Sequence, residues 1–129
     1  MSQIIGIGTD IIECLRIAQM IERHGELFIN RVFTPHEIQY CHSRKLATQH
    51  YAGRWAAKEA VLKAIGTGWR KGISWRDIEI RNDKNGAPTV TLRGGARDVM
   101  AAAHIARLHV TISHCRSFAV AYVVAEGDS

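Results

Sequence analysis

The chain is poor in the residues that cross-link or interrupt a fold: three cysteines and two prolines among 129 residues. Cys14, Cys41 and Cys115 include no Cys-x-x-Cys pair. That spacing argues against a structural zinc site and a disulfide framework, and fits reduced thiols in a cytosol. Long apolar runs are missing too. No stretch reaches the ~18 consecutive apolar residues of a membrane span, and no basic segment followed by a long apolar one opens the sequence. The expectation is a cytoplasmic protein with no membrane attachment. Several catalytic signatures are also absent. Gly6-Ile-Gly8 lacks the further glycine and helix opening of a dinucleotide turn, and there is neither a Gly-Lys-Ser/Thr phosphate loop nor a nucleophile elbow. Internal repeats, low-complexity segments and linkers do not occur.

What is present bounds the class. With 129 residues, 47% of them hydrophobic and 22% charged, the chain is expected to form one compact domain over residues 1–129 with a real core. Its formal charge of +5 and pI near 9.4 favour an anionic partner, whether nucleic acid, a phosphorylated cofactor, an acidic protein or a membrane surface.

The stretch Arg54–Gly68 concentrates the chain's least ordinary chemistry. It is rich in alanine and other good helix formers and stops at Gly66 and Gly68, so a helix from about Ala47 to Ile65 is expected. On a wheel, Trp55 and Leu62 fall beside Ala52 and Ala56, with Val61 and Ile65 opposite. A helix apolar on both sides is expected to be buried. Glu59 lies within the first apolar face, one turn before Lys63, and a carboxylate there needs a partner. Lys63 alone or a metal ion would serve.

The remaining elements make an α+β chain, a small antiparallel sheet with packed helices. Ile4–Glu13 reads as a strand that places Gly6, Gly8 and Asp10 on one face. The glycines are expected to clear space on Asp10's side; otherwise Asp10 only caps the following helix. Glu13–His24 reads as a helix with Leu15, Ala18 and Ile21 at helical spacing and with Arg16 and Arg23 on its polar side. Those arginines are either a solvated face or a surface for an acidic partner. Glu26–Phe33 reads as a short turn of helix with Leu27, Phe28 and Phe33 inward. Thr34-Pro-His-Glu37 is a capping-box helix start, running to about Ser43. The loop Gly66–Trp75 is long enough to carry function. Asp77–Arg81 and Pro88–Leu92 flank an Asn-Gly hairpin turn, and Ala96–Arg107 reads as a helix. Leu108–His114 and Ser117–Ala125 form a second hairpin. The return strand is apolar on both faces and therefore expected to be central. His109, Thr111 and Ser113 share the polar face of its partner, facing either solvent or a site.

Asp10 and Glu59, with no thiolates or paired histidines beside them, suit a hard ion. Magnesium takes one or two protein carboxylates and fills the rest of its shell with water and substrate phosphate. Lys63 is placed to contact the same phosphate. The glycine loop follows a helix C-terminus, where the dipole opposes a phosphate, so cations must supply the attraction. Metal-assisted phosphoryl-group transfer is the reaction type most consistent with these parts.

Gly6-Ile-Gly-Thr-Asp-Ile-Ile-Glu13, Arg31-Val-Phe-Thr34 with Glu37, Arg54-Trp-Ala-Ala-Lys-Glu-Ala-Val-Leu-Lys-Ala-Ile-Gly-Thr-Gly68, Ser74-Trp-Arg-Asp-Ile-Glu-Ile80 and His109-Val-Thr-Ile-Ser-His114 together resemble the holo-acyl-carrier-protein synthases. These are the short, bacterial-type branch of the 4′-phosphopantetheinyl transferases. The resemblance spans nearly the whole chain, in order. It implies transfer of the phosphopantetheine arm of coenzyme A to a serine of apo acyl carrier protein, with adenosine 3′,5′-bisphosphate as the other product, in support of fatty acid biosynthesis. It further implies that Asp10 and Glu59 ligate magnesium, that Lys63 meets the phosphates and that Arg54 lies beside the nucleotide. By the same resemblance His109 lines the coenzyme pocket, the Gly66 loop forms part of its wall, and Arg16 receives the acidic carrier. It implies a homotrimer with sites between subunits. Trp55 stands where the family commonly has Phe, and Cys115 where some members have an acid proposed to help catalysis. The proton acceptor is thereby left open among Glu59, a water on the ion, and His109. A different class of function, a small basic nucleic-acid-binding module, would draw on Trp69, Arg70, Lys71, Trp75 and Arg76, since aromatics among cations can stack bases.

Overall fold

A computed structural model describes residues 1–68 and 72–128. Strand β1 (Ser2–Glu13) is followed by helices α1 (Cys14–His24), α2 (Glu26–Val32), α3 (Pro35–His42) and α4 (Ala47–Ala64). A single 3₁₀ turn at Trp75–Asp77 leads into the hairpin β2 (Ile78–Asn82) and β3 (Pro88–Leu92). Then come α5 (Gly94–Ala102), β4 (Arg107–His114) and β5 (Phe118–Asp128). The strands form two antiparallel sheets, β1-β5-β4 and β2-β3. This is the expected α+β arrangement, and β5 is central as its two apolar faces require. Among the described residues no helix is long and apolar enough to cross a membrane.

Local chemistry accounts for most element boundaries. At α3, the Thr34 hydroxyl accepts from the Glu37 amide at 3.3 Å while the Glu37 carboxylate accepts from the Thr34 amide at 2.8 Å, closing the capping box. In the β2–β3 turn the Asp83 carboxylate accepts from the amides of Asn85 and Ala87, and Gly86 takes a positive φ of 88° that a side chain would oppose. Two expectations fail. Helix α5 stops at Ala102, with the Ala103 amide bonded back to the Val99 carbonyl. His104 then adopts a positive φ of 61°, which the helical pattern through Arg107 does not reveal. Leu27 is 82% exposed, because the 7-residue α2 buries Phe28, Ile29 and Val32 and turns Leu27 away. In α1 the buried positions are Cys14 and Ile17, and Leu15 is exposed.

Helix α4 is the axis of the core. It buries Ala52, Ala56, Ala57, Ala60, Val61 and Leu62 between the three-stranded sheet on one side and α1, α3 and β2 on the other. Its aromatic flank continues outward, with Trp55 against Phe28 at 5.9 Å and stacked on Trp75 at 4.4 Å between ring centroids.

The glycines of β1 are explained here, in a way that corrects the expectation. They do clear the face that carries Asp10, but the cleared space is filled by the backbone of α4. A Cβ on Gly6 would lie 2.0 Å from the Ala64 carbonyl oxygen, and one on Gly8 would lie 2.1 Å from that of Ala60. Both distances are impossible, so strand and helix approach this closely only because neither position has a side chain. Gly8→Ala is therefore expected to destabilise the fold by about 1–3 kcal/mol, the usual range for overpacking. An unchanged thermal midpoint would contradict it.

Candidate active site at the seam of strand β1 and helix α4

Because Gly6 abuts Ala64 and Gly8 abuts Ala60, two residues along β1 correspond to one turn back along α4. Asp10, two residues further on, therefore lies toward the turn that carries Ala56 and Glu59. Lys63 reaches across this seam. Its ammonium donates to the Thr9 carbonyl at 2.8 Å and to Asp10 Oδ1 at 3.3 Å. Asp10 lies inside β1, and α1 begins after Glu13 with no side-chain cap, so the capping role for Asp10 is ruled out. Burial pushes the Asp10 carboxyl above its ordinary value, while the Lys63 hydrogen bond and the charges of Lys63 and Arg16 pull against that rise.

Glu59 is half-buried on α4, one turn before Lys63. It sits at the edge of the helix's buried surface, which corrects its placement inside an apolar face. The fully buried charge on α4 is Lys58, whose side chain and that of Glu37 are both 0% exposed, with Lys58 Nζ 2.8 Å from Glu37 Oε1. The ammonium also donates to the carbonyls of Val32, Trp75 and Ile78 at 2.8, 3.1 and 2.7 Å. Glu37 in turn accepts from the Ile80 amide at 2.7 Å. Burial pushes the Lys58 amine down and the Glu37 charge pulls it back up, with a net lowering. Sequence reasoning missed this hub, although Lys58 precedes Val61, Leu62 and Ile65 by three, four and seven residues and so shares their buried side.

The other candidates are distributed. Arg16 is exposed on α1, near enough to act electrostatically on Asp10. Arg54 is buried on another side of α4, donating to Asn82 Oδ1 at 2.8 Å and lying 4.1 Å over the Tyr40 ring. Gly66 follows α4 with a positive φ of 82°, and among the described residues nothing lies within 4 Å of where its side chain would start. His109 lies on the opposite face of the three-stranded sheet, its Nε2 2.9 Å from Glu126 Oε1, which also accepts from Arg107 Nε at 2.9 Å. The hydrogen bonds from His109, Arg107 and Ser2 draw the Glu126 carboxyl down to about 2. A single chain thus brings Asp10, Lys63 and the Glu59 turn together and keeps His109 apart from them. Two of the three thiols are not nucleophiles in waiting: burial raises Cys41 to about 12, and Cys14 is buried as well, whereas Cys115 is exposed and backbone hydrogen bonds at Ser117 and Phe118 hold its thiol below the ordinary value. Of the residues suggested for base stacking, Trp75 is stacked on Trp55, while Trp69, Arg70 and Lys71 lie outside the described residues.

The donor set suits a hard divalent cation. Asp10 and Glu59 offer carboxylate oxygens, and among the described residues no group of three or more His, Cys, Asp or Glu side chains gathers to hold a softer or fully protein-caged ion.

Known proteins resemble this chain over nearly its whole length. A family model described as the 4′-phosphopantetheinyl transferase superfamily matches residues 6–123. A holo-[acyl-carrier-protein] synthase of Rhodopirellula baltica is 49% identical, over 94% of this chain and 96% of its own. The crystal structure of a Plasmodium yoelii holo-ACP synthase superposes with a TM-score of 0.86 at 34% identity, covering 100% of this chain and 99% of the other. That of a Bacillus anthracis holo-(acyl-carrier-protein) synthase in complex with CoA (3′,5′-ADP) gives 0.80 at 40% identity, covering 97% and 98%. With a family model over residues 6–123 and a relative 49% identical over 94% of its length, the chain belongs to the 4′-phosphopantetheinyl transferase superfamily.

Proposed function

We propose that this protein is a magnesium-dependent holo-acyl-carrier-protein synthase. It moves the 4′-phosphopantetheine group of coenzyme A to a serine of an apo acyl carrier protein, releases adenosine 3′,5′-bisphosphate and supports fatty acid biosynthesis. The observation that carries this reading is the pairing of Lys63 with Asp10 across a seam that two glycines hold shut. It sets a half-exposed cation at an open edge, where it can meet a pyrophosphate, beside a carboxylate that would hold a metal ion. Names of relatives and the CoA-bound neighbour support it.

In the reaction the serine oxygen forms a bond to the β-phosphorus of coenzyme A. The bond from that phosphorus to the bridging oxygen breaks, and its electron pair leaves on the α-phosphate of the bisphosphate product. Lys63, with 53% of its side chain exposed, donates to the pyrophosphate oxygens as their charge builds. Asp10 holds the ammonium in place. Asp10 and Glu59 would hold the magnesium ion, which when bound neutralises pyrophosphate charge. Of the two acids, Glu59 is the one assigned to receive the serine proton, since Asp10 is engaged by Lys63. The exposed Arg16 faces the acidic carrier.

The outer face of the β1-β5-β4 sheet supports the trimer. Ile7, Ile11 and Tyr122 are 71%, 64% and 57% exposed. Register places Ile7 opposite Val124 and Val124 opposite His109. Such a contiguous apolar face favours burial against another copy, and its covering would carry His109 to a neighbouring subunit's coenzyme pocket. Such packing supports the reading of one-domain subunits with sites between them.

The test is incubation with coenzyme A, magnesium and apo acyl carrier protein, followed by mass measurement of the carrier. A gain of one phosphopantetheine, abolished by excess chelator, is expected. No gain refutes the transferase reading, gain in chelator refutes the metal dependence, and a fully active monomer by light scattering refutes the interfacial site.

A further inference from the structure

On a side of the molecule formed by the small sheet, a cleft of about 570 Å³ opens where α3 begins, against the 3₁₀ turn, β2 and the residue that leads into α5. Arg76, Arg81 and Arg93 line it together with Thr34, His36 and Glu79. None of these positions takes part in the chemistry at Asp10 and Lys63.

The charges in the cleft do not balance. Glu79 is its only acidic wall residue, 3% exposed, and its oxygens are already engaged. One accepts from the Thr34 hydroxyl, and the other accepts from Arg81 Nε at 2.8 Å and Arg93 Nη2 at 3.3 Å. Burial acts to raise the Glu79 carboxyl, but the Thr34 and Arg81 hydrogen bonds and the two arginine charges outweigh it and hold the group ionised below its ordinary value. Three guanidinium charges against one carboxylate leave two positive charges facing the cleft. Each guanidinium has five N–H donors in a planar fork suited to tetrahedral oxyanions. Arg81 spends its Nε–H and Arg93 an N–H of Nη2 on Glu79. Among the described residues, the Arg76 guanidinium has no hydrogen bond or ion pair.

We propose that this cleft is a second anion-binding site, separate from the coenzyme seam, and that it takes a phosphate or phosphomonoester dianion between Arg76, Arg81 and Arg93. An arginine that neutralised Glu79 would be a sufficient structural role for Arg81 and Arg93. It does not account for Arg76 or for the surplus charge.

The probe is inorganic phosphate, titrated into protein carrying ¹⁵N-labelled arginine at constant ionic strength, with the Nε–Hε resonances followed by NMR. Saturable shifts confined to Arg76, Arg81 and Arg93 are expected. Arg76→Gln should weaken phosphate binding at least about tenfold, the scale of a lost charge-assisted, bidentate hydrogen bond. Its thermal midpoint should not change, because among the described residues the Arg76 guanidinium has no hydrogen bond or ion pair to lose. Addition of a nucleoside 5′-monophosphate distinguishes the two sources of the group: displacement of phosphate assigns the site to phosphomonoesters, and lack of displacement assigns it to the free anion. Non-saturating shifts reproduced by chloride overturn the proposal. So does phosphate affinity that is unchanged in Arg76→Gln or lost in Lys63→Ala, which would put the anion at the other site.

Discussion

Replacing Lys58 by methionine is expected to lower the unfolding free energy by about 3–5 kcal/mol, the cost of stripping a buried charge of its counter-ion. Methionine fills much of the same space, so the loss is not one of volume. It leaves the Glu37 carboxylate fully buried without its counter-ion and removes the donor from the carbonyls of Val32, Trp75 and Ile78. Those carbonyls belong to the end of α2, the 3₁₀ turn and the start of β2, so one ammonium ties three segments to the middle of α4. The denaturation midpoint in urea, read through tryptophan fluorescence, reports the change. Adding Glu37→Leu to the Lys58→Met chain should restore part of the stability, since an apolar pair removes the stranded charge. Recovery stays incomplete because the Thr34 and Ile80 amides lose the acceptor that Glu37 provides. A Lys58→Met protein within 1 kcal/mol of the parent on the about 3–5 kcal/mol scale above would show that the pair is not a structural hub.

The second large effect is on turnover. Asp10→Ala should reduce phosphopantetheine transfer by about 10²–10³, the range for removing one preorganised electrostatic contact, and by more if metal binding is lost with it. Stability should change by under about 1 kcal/mol, because the Asp10–Lys63 pair lies at 3.3 Å with the lysine side chain half exposed, in the class of weak surface ion pairs. Lys63→Ala belongs to the same unit. The double variant should therefore lose little more than either single one, and additive losses would indicate separate tasks. Wild-type transfer rates in Asp10→Ala would remove Asp10 from the site. Gly8→Ala offers a contrast, since it should disturb both stability and the Lys63 reach by prising the strand from the helix.

These two predictions rest on different kinds of legibility. Thr34-Pro-His-Glu37, the Asp83–Gly86 turn and the apolar return strand Phe118–Val124 could be read from sequence because each is governed by local rules: capping geometry, turn conformation and the two faces of a central strand. Asp10, Glu59 and Lys63 stood out because acids among glycines and apolar residues are unusual. Leu27 misled because a short helix has too few turns for its hydrophobic pattern to say which side faces inward. The end of α5 misled because alanine continues a helix as readily as it ends one, and the break is a single positive φ at His104.

Sequence alone therefore determined the order and type of the elements, the buried character of α4 and the residues worth suspecting of chemistry. Only the tertiary structure decided that Gly6 and Gly8 admit a helix backbone and not a ligand, and that Lys63 pairs with Asp10. It also showed that Lys58 is the charge the core is built around and that His109 faces away from Asp10 within one chain. The physical reason is range. Caps, turns and periodicity act over a few neighbouring residues, whereas a hydrogen bond from Lys63 to Asp10 spans 53 positions and is decided by how closely two elements pack.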